Sequence, residues 1–113
     1  MEYLTALGNV VIVSNMKAGE LLQRRIVYTS EAFAELVLWQ VRQPLPGSSH
    51  TFKYRLAYVV RGVCVLRYDN EVGKGDHRHY GNVESRYQFT TPDQLITDFQ
   101  TDIARWNREN SNS

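Results

Sequence analysis

The stretch from residue 52 to residue 68 constrains the fold more than any other part of the chain. Phe52, Tyr54, Leu56, Tyr58 and Val60 alternate with Lys53, Arg55, Ala57 and Val59, the period of two that sends successive side chains to opposite faces of a strand. Arg61-Gly62 has the two-residue length of a tight hairpin, and the glycine takes positive φ at no steric cost. Residues 63–68 return as the second strand. A chain organised around such a hairpin is an antiparallel sheet protein.

The residues before it extend the sheet. Residues 22–28 read as a strand, Thr29-Ser30-Glu31 as a turn, and residues 33–42 as a second strand. In that second strand Ala34, Leu36 and Leu38 alternate with Glu35, Val37, Trp39 and Val41. Both sets are largely apolar, the pattern of a strand central in its sheet. A helix competes over residues 30–40, because Ala, Glu and Leu are good helix formers; Val37, Trp39 and Val41 favour the strand. Pro44-Leu45-Pro46-Gly47-Ser48-Ser49 is an exposed loop that no regular element can cross.

Beyond Tyr68 the chain turns polar and glycine-rich through residue 79, and a short strand is expected at residues 87–89. Thr91-Pro92-Asp93-Gln94 then marks a helix start: a capping hydroxyl, proline at the first helical position, and a glutamine placed to reach back as in a capping box. Leu95, Ile96, Phe99, Ile103 and Trp106 follow at helical spacing as one apolar stripe. The polar residues from Asn107 read as a frayed tail. The expected architecture is α+β: an antiparallel β-meander of about four to five strands with a C-terminal α-helix packed on one face.

At 113 residues the chain holds one core. Residues 1–15 read as an N-terminal extension, with Met16-Lys17-Ala18 resembling a start, and residues 16–113 as a single domain; residues 9–14 suit a short strand. The longest apolar run, residues 10–13, is far below the roughly 20 residues needed to cross a bilayer. No basic segment precedes a hydrophobic one near the N-terminus, which argues against a secretory signal. A single cysteine, Cys64, excludes an internal disulfide and a cysteine-built zinc site and fits the cytoplasm. Mid-strand and without an evident histidine partner, its thiol is expected to be buried and inert.

Net charge is only +1, yet its distribution is uneven. Between Arg42 and Arg86 eight basic residues stand against four acidic ones. Such a face attracts a polyanion through phosphate contacts, although a solvated sheet face carries interspersed charges too. Lys53 and Arg55 share a face with Ala57 and, with Arg67, are the candidate RNA-binding residues. Tyr54, Tyr58 and Tyr68 have the chemistry to stack on bases, but burial between sheet and helix suits their pattern better. Trp39 and Trp106 belong to the core or to a partner interface.

Concentrated chemistry appears only between Asp69 and His79. His77 and His79 are two apart, so in a strand they face the same side and Arg78 faces away. Phosphodiester cleavage needs a base, an acid and positive charge at the developing oxyanion. His77 and His79 are candidates for the first two, Lys74 or Arg78 for the third, and Asp69 or Asp76 can orient a histidine. His-X-His is also a metal-ligand spacing, with an aspartate as third ligand. Equally, Gly73 and Gly75 can form a turn whose polar residues are merely solvated. Gly73-Lys74-Gly75 lacks the spacing of a P-loop, which argues against nucleotide hydrolysis.

Lys53-Tyr54-Arg55-Leu56-Ala57-Tyr58-Val59, Gly62, Leu66-Arg67-Tyr68-Asp69-Asn70-Glu71 and Gly73-Lys74-Gly75-Asp76-His77-Arg78-His79 resemble the TumE family, as do Tyr87-Gln88-Phe89 and the helix carrying Leu95, Asp98, Phe99 and Trp106. The likeness runs from about Met16 to Trp106, and the extension before Met16 departs from the usual family start. It implies a cytoplasmic toxin of a type II toxin–antitoxin pair, silenced by a helix-turn-helix antitoxin. A homodimer or a toxin–antitoxin hetero-oligomer fits such a pair. Many small toxins of this size are ribonucleases on a curved antiparallel sheet, an analogy at the level of fold. The expectation is an endoribonuclease that uses neither metal nor cofactor, with Asp69, Lys74, His77, Arg78 and His79 in the active role. The alternatives are a toxin that blocks its target by binding alone and a nucleotide-dependent modifying toxin.

Overall fold

Alternation and turn chemistry become a six-stranded meander in the computed structural model, which describes residues 5–7, 10–12 and 19–111. Two short strands, β1 (Thr5–Leu7) and β2 (Val10–Ile12), pair with each other as a separate antiparallel ribbon. The main sheet runs β3 (Glu20–Thr29), β4 (Ala32–Gln40), β5 (Phe52–Val60), β6 (Val63–Glu71), β7 (Gly75–Tyr80) and β8 (Val83–Arg86), each strand hydrogen-bonded to the next in antiparallel order. Helix α1 (Pro92–Asn110) closes the described fold. The proposed boundary at Met16 lies outside the described residues.

The hairpin forms at the predicted turn. Arg61 and Gly62 have φ of 51° and 78°, both positive as a type I′ turn requires, and Val60 faces Val63 across it. Residues 33–42 form a strand as far as Gln40 and no helix: β4 is hydrogen-bonded to β3 on one side and β5 on the other. Register shifts in the β3–β4 pairing, at Glu20/Leu22 and Val27/Thr29, are bulges of the kind that bend a sheet.

Six strands rather than four or five arise because the polar segment after Tyr68 is itself regular. β6 continues through Glu71, residues 72–74 turn, and residues 75–86 form two more strands. Their side chains are polar because neither strand supplies the apolar core; pattern-based reading sees a loop where the ladder sees a strand. The expected strand at residues 87–89 is absent. Tyr87 donates its N–H to the Asp76 carbonyl at 3.0 Å, after which the chain leaves the sheet and lays Phe89 on the His50 ring, centroids 3.9 Å apart.

α1 starts as expected. Thr91 Oγ1 accepts the Gln94 N–H at 3.1 Å with Pro92 in the first turn. The reciprocal half of the capping box is missing, because the Gln94 side chain donates forward to Asp98 at 2.8 Å. The segment from Asn107 is helical to Asn110 rather than frayed, held by the Tyr58 hydroxyl on Asn107 (2.8 Å) and by Asn110 on the Trp106 carbonyl (2.9 Å).

The core is one cluster between the sheet and α1, running from Leu22 and Ile26 on β3 through Leu36, Leu56 and Leu66 to Leu95, Phe99 and Ile103. Tyr54, Tyr58 and Tyr68 are buried in it, as the alternation predicts. Trp106 packs against its edge beside Tyr80, while Trp39 is half-buried on the other side of the sheet, opposite Lys53. Cys64 corrects an expectation: it is exposed. It sits near the start of β6, beside the register shift at Tyr58/Val59, where the core no longer covers it. Among the described residues no helix is long and apolar enough to cross a membrane.

Candidate functional site

β7 divides its side chains between two different environments, and with them the residues of the 69–79 block. Register places Arg55, Asp69, His77 and Arg86 in one row across β5–β8, and Ala57, Arg67, His79 and Glu84 in the next. Residues opposite one another on paired strands share a face. This face points away from α1. It gathers Lys53, Arg55, Arg67, Asp69, His77 and His79, with Lys74 at its rim in the turn before β7.

Within it the contacts are specific. Arg67 donates through a terminal nitrogen to His79 Nε2 at 2.9 Å; a guanidinium only donates, so this imidazole nitrogen carries no proton in that arrangement. Arg67 Nε also lies 3.1 Å from Asp69 Oδ2 as an ion pair without hydrogen-bond alignment. Asp69, nearly buried, therefore faces an arginine rather than a histidine. His77 is 9% exposed and holds the Gly75 carbonyl through Nδ1 at 3.0 Å. A carbonyl only accepts, so Nδ1 bears the proton and Nε2 is the nitrogen presented outward.

Both outward nitrogens look at Glu84 on β8. His77 Nε2 is 3.8 Å from its Oε1, His79 Nε2 is 3.7 Å from its Oε2, and Lys74 Nζ is 2.8 Å from Oε1. The Lys74 hydrogen bond holds the Glu84 carboxyl below the usual carboxylate range, and Glu84 in turn raises the Lys74 ammonium. Among the described residues no three His, Cys, Asp or Glu side chains converge as a metal cage.

Arg78 is placed elsewhere, on the face toward α1. Its Nε and a terminal nitrogen clasp Asp102 of α1 at 2.6 and 2.8 Å, and Tyr68 donates to the same carboxylate at 2.6 Å. Hydrogen bonding to Asp102 raises the Arg78 guanidinium further, and burial first, then Asp102, pushes the Tyr68 phenol up. The arginine joins helix to sheet and is not brought together with the histidines.

Asp76, the other candidate orienter, also lies on the α1 side. It collects His50 Nε2 (2.7 Å), the Tyr54 hydroxyl (2.6 Å) and Ser48 Oγ (2.9 Å). His50 Nδ1 accepts the Phe52 N–H at 3.1 Å, so both its ring nitrogens are engaged. Asn70, fully buried, bridges the Phe52 carbonyl and the Tyr54 N–H. Ser48, His50 and Asp76 of this cluster line a cleft of about 570 Å³ between the 44–51 loop and residues 86–89, with Lys74 and Arg86 also on its wall. Sequence reasoning missed His50 because its partner is 26 residues away. The signal was the register: a hairpin that pairs β5, β6 and β7 brings Asp76 beside the start of β5.

The loop itself is pinned by close backbone contact. A Cβ on Gly75 would lie 2.7 Å from the Gly47 carbonyl oxygen, and one on Gly47 would lie 2.9 Å from the Gly75 nitrogen. With Gly73 also donating its N–H to the Pro46 carbonyl, the turn that carries Lys74 is fixed from below.

No curated protein and no solved structure matches the chain. The family model described as Toxin TumE matches residues 11–107, which include β3 to β8, all three histidines and most of α1. The chain therefore belongs to the TumE toxin family, as the toxin component of a toxin–antitoxin system whose partner is an antitoxin.

Proposed function

We propose that this toxin acts on RNA as a metal-independent endoribonuclease, working in the cytoplasm through the sheet face that carries His77 and His79. The observation that carries the reading is the convergence of two histidine Nε2 atoms and the Lys74 ammonium within 4 Å of the oxygens of one carboxylate, Glu84, on a basic sheet. Lys53, Arg55 and Arg67 bind the phosphates of the strand, without sequence information of their own. His77, oriented by the Gly75 carbonyl, takes the proton of a ribose 2′-hydroxyl through Nε2. The 2′-oxygen then attacks phosphorus, the bond to the 5′-oxygen breaks, and His79, entering the step as the imidazolium, gives its proton to that leaving oxygen. The products are a 2′,3′-cyclic phosphate and a 5′-hydroxyl end. Lys74 stabilises the charge on the non-bridging oxygens.

Asp69 serves by holding Arg67, and Arg78 by fixing β7 against α1. An arginine N–H aimed at His79 Nε2 occupies the lone pair a metal would need, and Arg67 turns to the phosphate before that nitrogen carries the proton it gives up. The cognate antitoxin, of the helix-turn-helix type, silences the toxin in a hetero-oligomer.

Growth on inducing the chain alone, with total RNA sequenced for new 5′ ends, tests this beside the double variant His77→Ala/His79→Ala. Arrest with new ends that vanish in the variant is the expected result. Full toxicity in a folded double variant would overturn it, and arrest without new ends would shift the reading to a toxin that acts by binding its target.

A further inference from the structure

We propose that Lys74, His77 and His79 form an oxyanion subsite for a phosphate group, and that the Glu84 carboxylate occupies it until that group displaces it. The inference rests on the reading above only in identifying the phosphate as one of an RNA strand.

Three nitrogen groups from the 72–74 turn and β7 converge on one small anion supplied by the edge strand. Lys74 Nζ reaches Glu84 Oε1 at 2.8 Å, whereas His77 Nε2 and His79 Nε2 stop at 3.8 and 3.7 Å. Those two separations exceed hydrogen-bond length, so a planar carboxylate satisfies the lysine and leaves both imidazoles short. A phosphate is larger, and its oxygens point tetrahedrally. It takes the lysine on one oxygen and closes both remaining gaps with others when each imidazole is the doubly protonated cation that donates from Nε2, Arg67 turning from His79 to the phosphate as it does so. The nitrogens are also preset: Nδ1 of His77 is anchored on the Gly75 carbonyl, and the lysine's turn is packed against Gly47.

Glu84, by contrast, is built to leave. It is exposed on the last and shortest strand of the six-stranded sheet, and its lysine partner is 45% exposed. Exposed pairs of this kind are held weakly, and rotating the side chain outward breaks no ladder hydrogen bond. The carboxylate thus blocks the subsite against weak anions while yielding to a polyanion anchored by Arg67, next to His79 in its row, and by Arg55, beyond Asp69 in the row of His77.

The opposite role, a carboxylate that itself moves the proton, predicts the opposite sign on neutralisation. The test titrates inorganic phosphate, and separately a short single-stranded RNA, into the full chain while following the imidazole resonances of His77 and His79. Glu84→Gln is compared with Glu35→Gln, which removes the same charge from the same row of the same face, two strands beyond Arg67. Glu84→Gln is expected to bind phosphate about tenfold tighter than the wild type, equivalent to about 1.4 kcal/mol, with Glu35→Gln within about twofold. Adding Lys74→Ala should remove the gain. Equal affinities in Glu84→Gln and Glu35→Gln, or weaker binding in Glu84→Gln, would overturn the subsite. If phosphate binds as expected but RNA is neither bound nor cut, the subsite stands and the ribonuclease reading falls. If RNA is cut and Glu84→Gln gains nothing, the reverse holds.

Discussion

Replacing Arg78 with methionine separates the two faces of β7. The guanidinium is clasped by Asp102, which is 7% exposed, and Asp102 also holds the Tyr68 hydroxyl. Removing one member of a buried pair costs about 3–5 kcal/mol, because the other charge is left without its partner. Two features reduce that here. The Arg78 side chain is 26% exposed, so part of its desolvation was never incurred, and Tyr68 still donates to the abandoned carboxylate. A loss of roughly 2–3 kcal/mol follows, or about 10–15 °C in Tm for a domain of this size. Urea unfolding measures it, in a cycle with Asp102→Leu. The double variant leaves neither charge stranded, so it should recover most of the loss, with a coupling of about 2 kcal/mol. A coupling below about 0.5 kcal/mol would refute the structural account of Arg78. So would an Arg78→Met protein of wild-type stability that has lost toxicity, since that outcome would put the guanidinium in the chemistry.

Other expected outcomes follow from the same contacts. Gly75→Ala should cost about 2–3 kcal/mol, since its Cβ would meet the Gly47 carbonyl oxygen at 2.7 Å on top of the left-handed φ, whereas Gly62→Ala, with open space around it, should cost only about 1 kcal/mol; paired urea curves compare the two. Thr91→Ala removes the cap on Gln94 N–H and should cost about 1 kcal/mol by the same measurement. Burial, followed by the bonds to Asp76, Asp102 and Asp98, pushes the Tyr54, Tyr68 and Tyr87 phenols above their ordinary value of 10.0. The folded state therefore keeps protons that the unfolded chain releases above about pH 10. Their contribution is full below that pH and is lost as pH rises beyond it. Tyr54→Phe should accordingly flatten the fall in stability between about pH 10 and 11, and an unchanged slope would contradict the assignment. Cys64 should react with a thiol reagent in the native protein at a rate close to that of the unfolded chain, because it is exposed.

How far the sequence could be read depended on whether a residue's role was local. The β5–β6 hairpin was legible because its turn demands positive φ at two consecutive residues and its strand alternates without a break. The helix start was legible because Thr91 and Pro92 act within three residues. The strands of residues 75–86 were not, since a ladder bond leaves no mark on side-chain polarity when the face is charged. Likewise the His-X-His spacing told which side His77 and His79 share, and that Arg78 opposes them, once the segment was a strand. It did not tell that Asp76 belongs to His50 and Asp69 to Arg67, because those partners are set by register and by the path of the 44–51 loop. Glu84 was visible only as one of four acidic residues in a basic stretch; its position opposite His79 needed β8 to exist.

The alternation along β7 has a consequence for how such a toxin tolerates change. Asp76, Arg78 and Tyr80 take the stabilising contacts with the loop and the helix, while His77 and His79 are left for the other face. Period-two geometry makes neighbours in sequence independent in space. A slip of one residue in the β6–β7 register would exchange the two sets, burying histidines against α1 and turning Arg78 outward. The Arg78–Asp102 clasp and the Asp76 cluster oppose that slip from two ends of the strand, since neither can form in the shifted register. The bonds that stabilise the fold therefore also fix which side chains of the strand face away from α1, although none of them lies on that face.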